Sequence, residues 1–172
     1  MSREYSIDPL EIVFASEVVR TGVAALPADA TPHGVAHLLG GKNAKHEQRL
    51  FPVVDDDRRL VGVITRAELR EWMGSGSDGG GHTPLREAIQ RDPVVAYGDE
   101  PLRLIVYRMA DTGVTRLPVV SRADRSLIGM LALNDLLGAR ARILEAEHRR
   151  ERVLGARLRL PTMFGGRSDS AA

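Results

Sequence analysis

The chain repeats itself. The stretch "LFPVVDDDRRLVGVITRAEL", starting at Leu50, returns from Leu117 as "LPVVSRADRSLIGMLALNDL". Pro52 aligns with Pro118, Gly62 with Gly129 and Glu68 with Asp135; further upstream Arg20 aligns with Arg91. The offset drops from 71 at Arg20 to 66 at Pro52, so the first copy carries about five extra residues, placed by the alignment in "GGKNAKHEQ". Two copies are too few for a solenoid and imply a pair of like units related by a pseudo-two-fold axis.

Each copy reads as β-α-β-β-α. A short strand (Val23–Leu26, Val94–Tyr97) leads through a Pro/Asp turn into a helix (Thr31–Leu39, Glu100–Ala110). In the second of these helices Leu102, Ile105, Val106 and Met109 recur at helical spacing. Two β-rich runs follow in each copy, Phe51–Val54 and Leu60–Ile64, then Leu117–Val120 and Leu127–Leu131. Their polar connections, "DDDRR" and "SRADRS", suit hairpins. A helix closes each copy. Runs such as "LVGVI" imply strands covered on both faces, by helices on one side and the partner unit on the other. The predicted class is therefore α/β (α+β), two repeats packed as a pair, with an extended C-terminal helix.

The predicted boundaries are a connecting segment over 1–14, a first unit over 15–73 and a glycine-rich linker over 74–83. A second unit covers 84–146, and a charged helical tail with a disordered end covers 147–172. Net charge is +1 and there is no cysteine. That excludes a disulfide framework or a thiolate metal site and gives no global pull toward nucleic acid. No apolar run approaches the ~18–20 residues of a membrane span, so the chain itself is expected to be soluble.

A tandem β-α-β-β-α with an apolar-PVV strand before a polar hairpin, then "GVITRAEL" or "GMLALNDL", resembles the CBS domain. Two copies resemble the pair known as a Bateman module. The flanks "DPLEIVFASEVVRTGVAALPAD" and "LLGARARILEAEHRRERVL" are similar to the cytosolic C-terminal region of bacterial ClC-type chloride channels and transporters. The resemblance implies a regulatory module at the cytoplasmic face of the membrane, covalently joined to a chloride-channel domain and dimeric. It implies ATP, ADP or AMP as a regulatory ligand and no required cofactor. The alternatives are a standalone CBS pair acting on a soluble partner and a purely structural dimerisation module.

The family's ligand contacts carry over onto two composite sites. One joins Asp135 to Ala24, Gln48 and Arg49. The other joins Thr65 and Glu68 to Val95, Thr115 and Arg116. Arg49 and Arg116 are the phosphate candidates by charge and position. Both copies depart from the family pattern, since Glu68 stands where aspartate is usual and Ala132 where a hydroxyl residue is usual. From the residues alone, "TRAE" at Thr65 is a capping box, and Asn134 is a substitute cap in the second copy.

Other chemistry is thinly represented. "GGKN" at Gly40 lacks the spacing of a phosphate loop. His33, His37 and His46 do not make a metal site without further ligands, and no catalytic constellation appears. The reading is of a protein that is not an enzyme, holds no metal and binds no nucleic acid. From Gly138 to Leu160 the tail holds seven arginines and three glutamates, a solvated helix or a contact with inner-leaflet lipid. Leu69, Trp72, Leu136 and Leu137 are the expected dimer face. Ile12 and Phe14 are expected to pack on the second copy.

Overall fold

The computed structural model describes residues 8–40, 48–75 and 83–157. A single helical turn, α1 (Pro9–Ile12), precedes two copies of one unit. The first consists of α2 (Ala15–Val18), β1 (Leu26–Pro27), α3 (Pro32–Gly40), β2 (Leu50–Val54), β3 (Leu60–Thr65) and α4 (Arg66–Ser75). The second consists of α5 (Leu85–Ala88), β4 (Ala96–Tyr97), α6 (Leu102–Thr112), β5 (Arg116–Val120), β6 (Leu127–Ala132) and α7 (Leu133–Arg157). The predicted β-α-β-β-α order is present in both, with a short helix added at the head of each.

Each copy builds a three-stranded sheet with its middle strand at the PVV motif. β2 pairs parallel with β1 and antiparallel with β3, and β5 does the same with β4 and β6. One core gathers Leu26, Val35, Phe51, Ile64 and Leu69 between the first sheet and its helices. The other gathers Leu102, Ile105, Leu117, Leu131 and Leu136 in the second copy.

The leading helices are exchanged between copies. Leu10 and Ala15 belong to the second core, and Leu85 to the first. Backbone bonds fix the exchange: Ser16 N–H donates to Gly98 C=O at 3.0 Å, and Arg86 N–H to Ala28 C=O at 2.8 Å. Arg20 then pairs with Met130 through two bonds of 3.0 Å, and Gln90 pairs with Val63 at 2.9 and 3.0 Å. Arg20 is thus the counterpart of Gln90, not of Arg91 as the alignment had it. Side-chain type matched the wrong residue; the ladder, which counts backbone groups, sets the offset one lower.

Gly62 and Gly129 owe their identity to this crossing. A Cβ on Gly129 would stand 2.3 Å from Arg20 O, and one on Gly62 2.6 Å from Gln90 O. Only glycine lets the other copy's backbone lie this close to the strand. The hairpin tips meet at the pseudo-dyad, where Leu60 N–H donates to Arg125 C=O and Leu127 N–H to Arg58 C=O, both at 3.0 Å.

Three of the four residues expected on a dimer face are core. Leu69, Trp72 and Leu136 are buried within the monomer, and only Leu137 is exposed. The exchanged helices already cover the surface that those residues would have offered. Ile12 and Phe14 are also exposed. The N-terminal segment does reach the second copy, but Leu10 supplies the buried side chain, while Phe14 contributes a backbone bridge to Pro101.

Candidate functional site

Proline inside a middle strand asks for an explanation, since it cannot donate to a ladder. The bond from Ala28 N–H to Val54 C=O sets the phase of the β1–β2 pair. Alternation down that pair would ask residue 52 to donate to Ala24 C=O and residue 50 to accept from Ala24 N–H. Pro52 has no N–H, so the pair stops short. Ala24 is left with a backbone donor and acceptor beside the interface of the copies. Gly98 N–H to Val120 C=O sets the same phase in the second copy, where Pro118 leaves Val94 in the same position. Val94, not Val95, is therefore the counterpart of Ala24.

A cleft of 1510 Å³ opens where the two copies face each other. Its walls come from both: Arg20, Gln48, Arg49 and Arg66 from the first, Arg116, Ala132 and Asp135 from the second. The helices α4 and α7 begin at its edge, with Thr65, Ala67, Arg70 and Asn134 also lining it. Helix N-termini present unpaired N–H groups and a partial positive charge, which suits an anion. Arg49, Arg70 and Arg116 carry no ion pair among the described residues. Arg66 is engaged: its Nε donates to Gln48 C=O at 2.8 Å, and its guanidinium lies 5.6 Å from the Phe51 ring centroid.

Of the residues singled out from sequence, Gln48, Arg49, Thr65, Arg116 and Asp135 line this one cleft. Ala24, Glu68, Val95 and Thr115 are not in its lining. Glu68 is turned back on its own helix start. Thr65 N–H donates to Glu68 Oε2 at 2.8 Å, Thr65 Oγ1–H donates to the same oxygen at 2.7 Å, and Glu68 N–H donates to Thr65 Oγ1 at 3.3 Å. That is the capping box read from "TRAE". In the second copy the bond is made by Asp135, not Asn134: Asp135 Oδ2 accepts from Ala132 N–H at 2.9 Å. Its other oxygen accepts from Arg20 Nε at 2.7 Å, tying the two copies together across the cleft. Val95 C=O accepts from Arg108 Nη1 at 2.7 Å.

The sequence reading missed Arg66, Arg70 and Arg20 as cleft residues. Arg66 and Arg70 stand four apart, one helical turn, immediately after the strand end, and that spacing was the available signal. Arg20 had none. "GGKN" beyond Gly40, His46 and most of the glycine-rich linker lie outside the described residues. Among the described residues no three histidine or acidic side chains are placed to hold a metal, and no helix is long and apolar enough to cross a membrane.

Fold and cleft together define a class: paired copies of a small α/β unit, interlocked by their leading helices and open to a shared cleft. The CBS domain model matches residues 15–75 and again 85–142, and the chain belongs to that family. It is 25% identical over 127 residues to homoserine O-acetyltransferase of Methanohalobium evestigatum, covering 74% of this chain and 24% of that protein. The chain thus spans about a quarter of the length of the curated relatives it matches first. Among solved structures it is similar to CBSX2 in complex with AMP, at 21% identity and a TM-score of 0.60, over 76% of this chain and 97% of that one. It is also similar to the cytosolic domain of the Mg2+ channel MgtE in complex with ATP, at 24% identity and a TM-score of 0.61. There the match covers 73% of this chain and 48% of the other. These likenesses speak for the fold.

Proposed function

We propose that the chain is a ligand-sensing regulatory module whose cleft binds an adenosine phosphate. The observation that carries this reading is a cleft walled by both copies, with Arg49, Arg70 and Arg116 uncommitted among the described residues at two helix N-termini. A ligand held there touches both copies and changes the angle between them. Arg49 and Arg116 take the phosphates. Thr65 and Asp135, which the family resemblance assigns to two separate sites, both line this one cleft. The complexes of CBSX2 with AMP and of MgtE with ATP support the ligand class.

Calorimetry with ATP, ADP and AMP tests this. Arg116→Ala is expected to weaken binding at least tenfold, ~1.4 kcal/mol, because it removes a charge-assisted contact to phosphate. Unchanged affinity removes Arg116 from the site. No heat from any of the three nucleotides at millimolar concentration defeats the reading.

The larger protein, in this proposal, is a ClC-type chloride channel or transporter, with the module at the cytoplasmic face. The flanking sequences carry this part. The mechanical support is that α1 packs on α6 and α7, with Glu11 ion-paired to Arg103. An upstream segment would therefore pull directly on the second copy. Ion flux through the full-length protein in vesicles, with and without residues 15–160, is the test. Identical flux and identical nucleotide response in both leave no regulatory role.

A homodimer belongs to the same proposal. Its face is now sought at Leu104 and Tyr107 on α6 and Leu137 and Leu144 on α7, all exposed apolar side chains. Sedimentation at tens of micromolar is expected to give a dimer, and the double variant Tyr107→Glu, Leu137→Glu a monomer. A wild-type monomer at that concentration overturns it.

A further inference from the structure

We infer that Gln48 is a built-in competitor for the base-binding edge of the first copy. The inference rests on the nucleotide reading above and adds to it a device that sets the affinity. The Gln48 carboxamide is inserted into the gap below Pro52. Its Oε1 accepts from Ala24 N–H at 2.9 Å, while its Nε2 donates to Ala24 C=O at 2.8 Å and to Leu50 C=O at 3.1 Å. One planar group thereby satisfies both backbone groups stranded by the missing proline donor. An acceptor beside a donor is the hydrogen-bonding edge of a carboxamide. It is also the edge an adenine presents with a ring nitrogen and its exocyclic amine. A base can pair with Ala24 only by displacing Gln48.

The second copy shows what the same backbone looks like without the plug. The strand offset of 66 between Phe51 and Leu117 puts Val114 in the place of Gln48. Valine offers neither donor nor acceptor. Val94, the counterpart of Ala24, has no hydrogen-bond partner for its N–H or C=O among the described residues. The fold therefore does not require this edge to be closed, and the carboxamide in the first copy is an addition to it. Gln48 is held in place from behind, since its own C=O accepts from Arg66 Nε. It also lines the cleft, together with the Arg20–Asp135 ion pair. Base edge and acid are thus both engaged by side chains of the first copy.

Gln48→Val installs the second copy's residue. It is expected to raise affinity for AMP about tenfold or more while leaving affinity for ribose 5-phosphate, which has no base, unchanged. In the wild-type protein the Gln48 carboxamide protons are expected to be protected from solvent exchange and to lose that protection on saturation with AMP. Equal AMP affinity in wild type and variant overturns the inference and leaves the nucleotide reading intact. An equal gain for AMP and ribose 5-phosphate also overturns it, by showing that a general opening of the cleft is at work. AMP binding to the variant alone supports the inference, and with no heat from ATP or ADP on the wild type it defeats the nucleotide reading for the wild-type chain. No binding of AMP to either protein defeats both. A circular-dichroism melt within a few degrees of wild type shows that the variant folds, as Val114 leads one to expect.

Discussion

Gly129→Ala is expected to cost about 3–5 kcal/mol of folding stability, the upper range for a single substitution. Its Cβ would lie 2.3 Å from Arg20 O and 2.8 Å from Val19 Cγ2. Overpacking by one methyl commonly costs ~1–3 kcal/mol when side chains can shift. Here the first atom struck is a backbone carbonyl. The segment carrying it must lift, and with it go both bonds between Arg20 and Met130, each ~0.5–1.5 kcal/mol net. The Arg20–Asp135 contact across the cleft would move as well. Gly62→Ala repeats the experiment on the other copy with a milder approach of 2.6 Å to Gln90 O, and should cost less. Gly74→Ala is the control: it sits near the end of α4 with nothing within 4 Å of the added Cβ, and helix propensity makes it neutral or slightly stabilising, by up to ~1 kcal/mol. Urea denaturation of the three variants gives the ranking. Gly129→Ala as stable as wild type would mean that the leading segment does not lie across β6.

The repeat made the fold legible because strand periodicity, hairpin length and glycine position are all local. Pro52 and Gly62 marked the register of the repeat, and the "TRAE" box announced a helix start. What those residues face was not local. The exchange of leading helices is invisible in a pattern that reads equally well if each helix packs on its own sheet. It made core of Leu69, Trp72 and Leu136, which an unexchanged unit would have left for a partner chain. Of the candidate positions, Gln48, Arg49, Thr65, Arg116 and Asp135 share the cleft, and what each is committed to was not legible in the pattern. Thr65 and Glu68 spend their hydrogen bonds on each other, Asp135 on Ala132 and Arg20, and Gln48 on Ala24. The Thr65–Glu68 and Ala132–Asp135 pairings follow from spacing; the Arg20–Asp135 and Gln48–Ala24 pairings do not, because they join segments whose distance in sequence says nothing of their distance in space. Arg49 and Arg116 line the cleft and carry no ion pair among the described residues.

Glu100→Gln is expected to destabilise the second copy by about 2–3 kcal/mol at neutral pH and to loosen the entry to β4. Glu100 is a buried charge, which is tolerated only with a partner. Arg108 supplies a two-armed one, Nη1 to Oε2 at 2.7 Å and Nη2 to Oε1 at 2.8 Å, and Tyr97 N–H adds a third bond at 3.1 Å. Burial pushes the carboxyl up, but the Arg108 hydrogen bonds and the Tyr97 N–H outweigh it and hold Glu100 below the ordinary glutamate value of 4.5. A depressed carboxylate contributes stability that is fully present above its unfolded value and is lost as pH falls through the folded one. Wild type should therefore lose this contribution only below pH 4.5. Glutamine, having no proton to take up there, should flatten that part of the acid limb. The same substitution reaches the cleft edge. Arg108 Nη1 is shared between Glu100 and Val95 C=O, and Val95 follows Val94, whose backbone groups stand open. Freed from Glu100, the guanidinium can leave Val95 for solvent, since it is itself only partly buried. Amide exchange at Ala96 and Tyr97 should then quicken in the variant, while exchange across β1 and β2 of the first copy stays as it was. The first copy has Ala30 and Leu38 at the places of Glu100 and Arg108 and anchors its strand end through Gln48 instead. Faster exchange in both copies would show global destabilisation rather than release of one edge, and would refute this account of the pair.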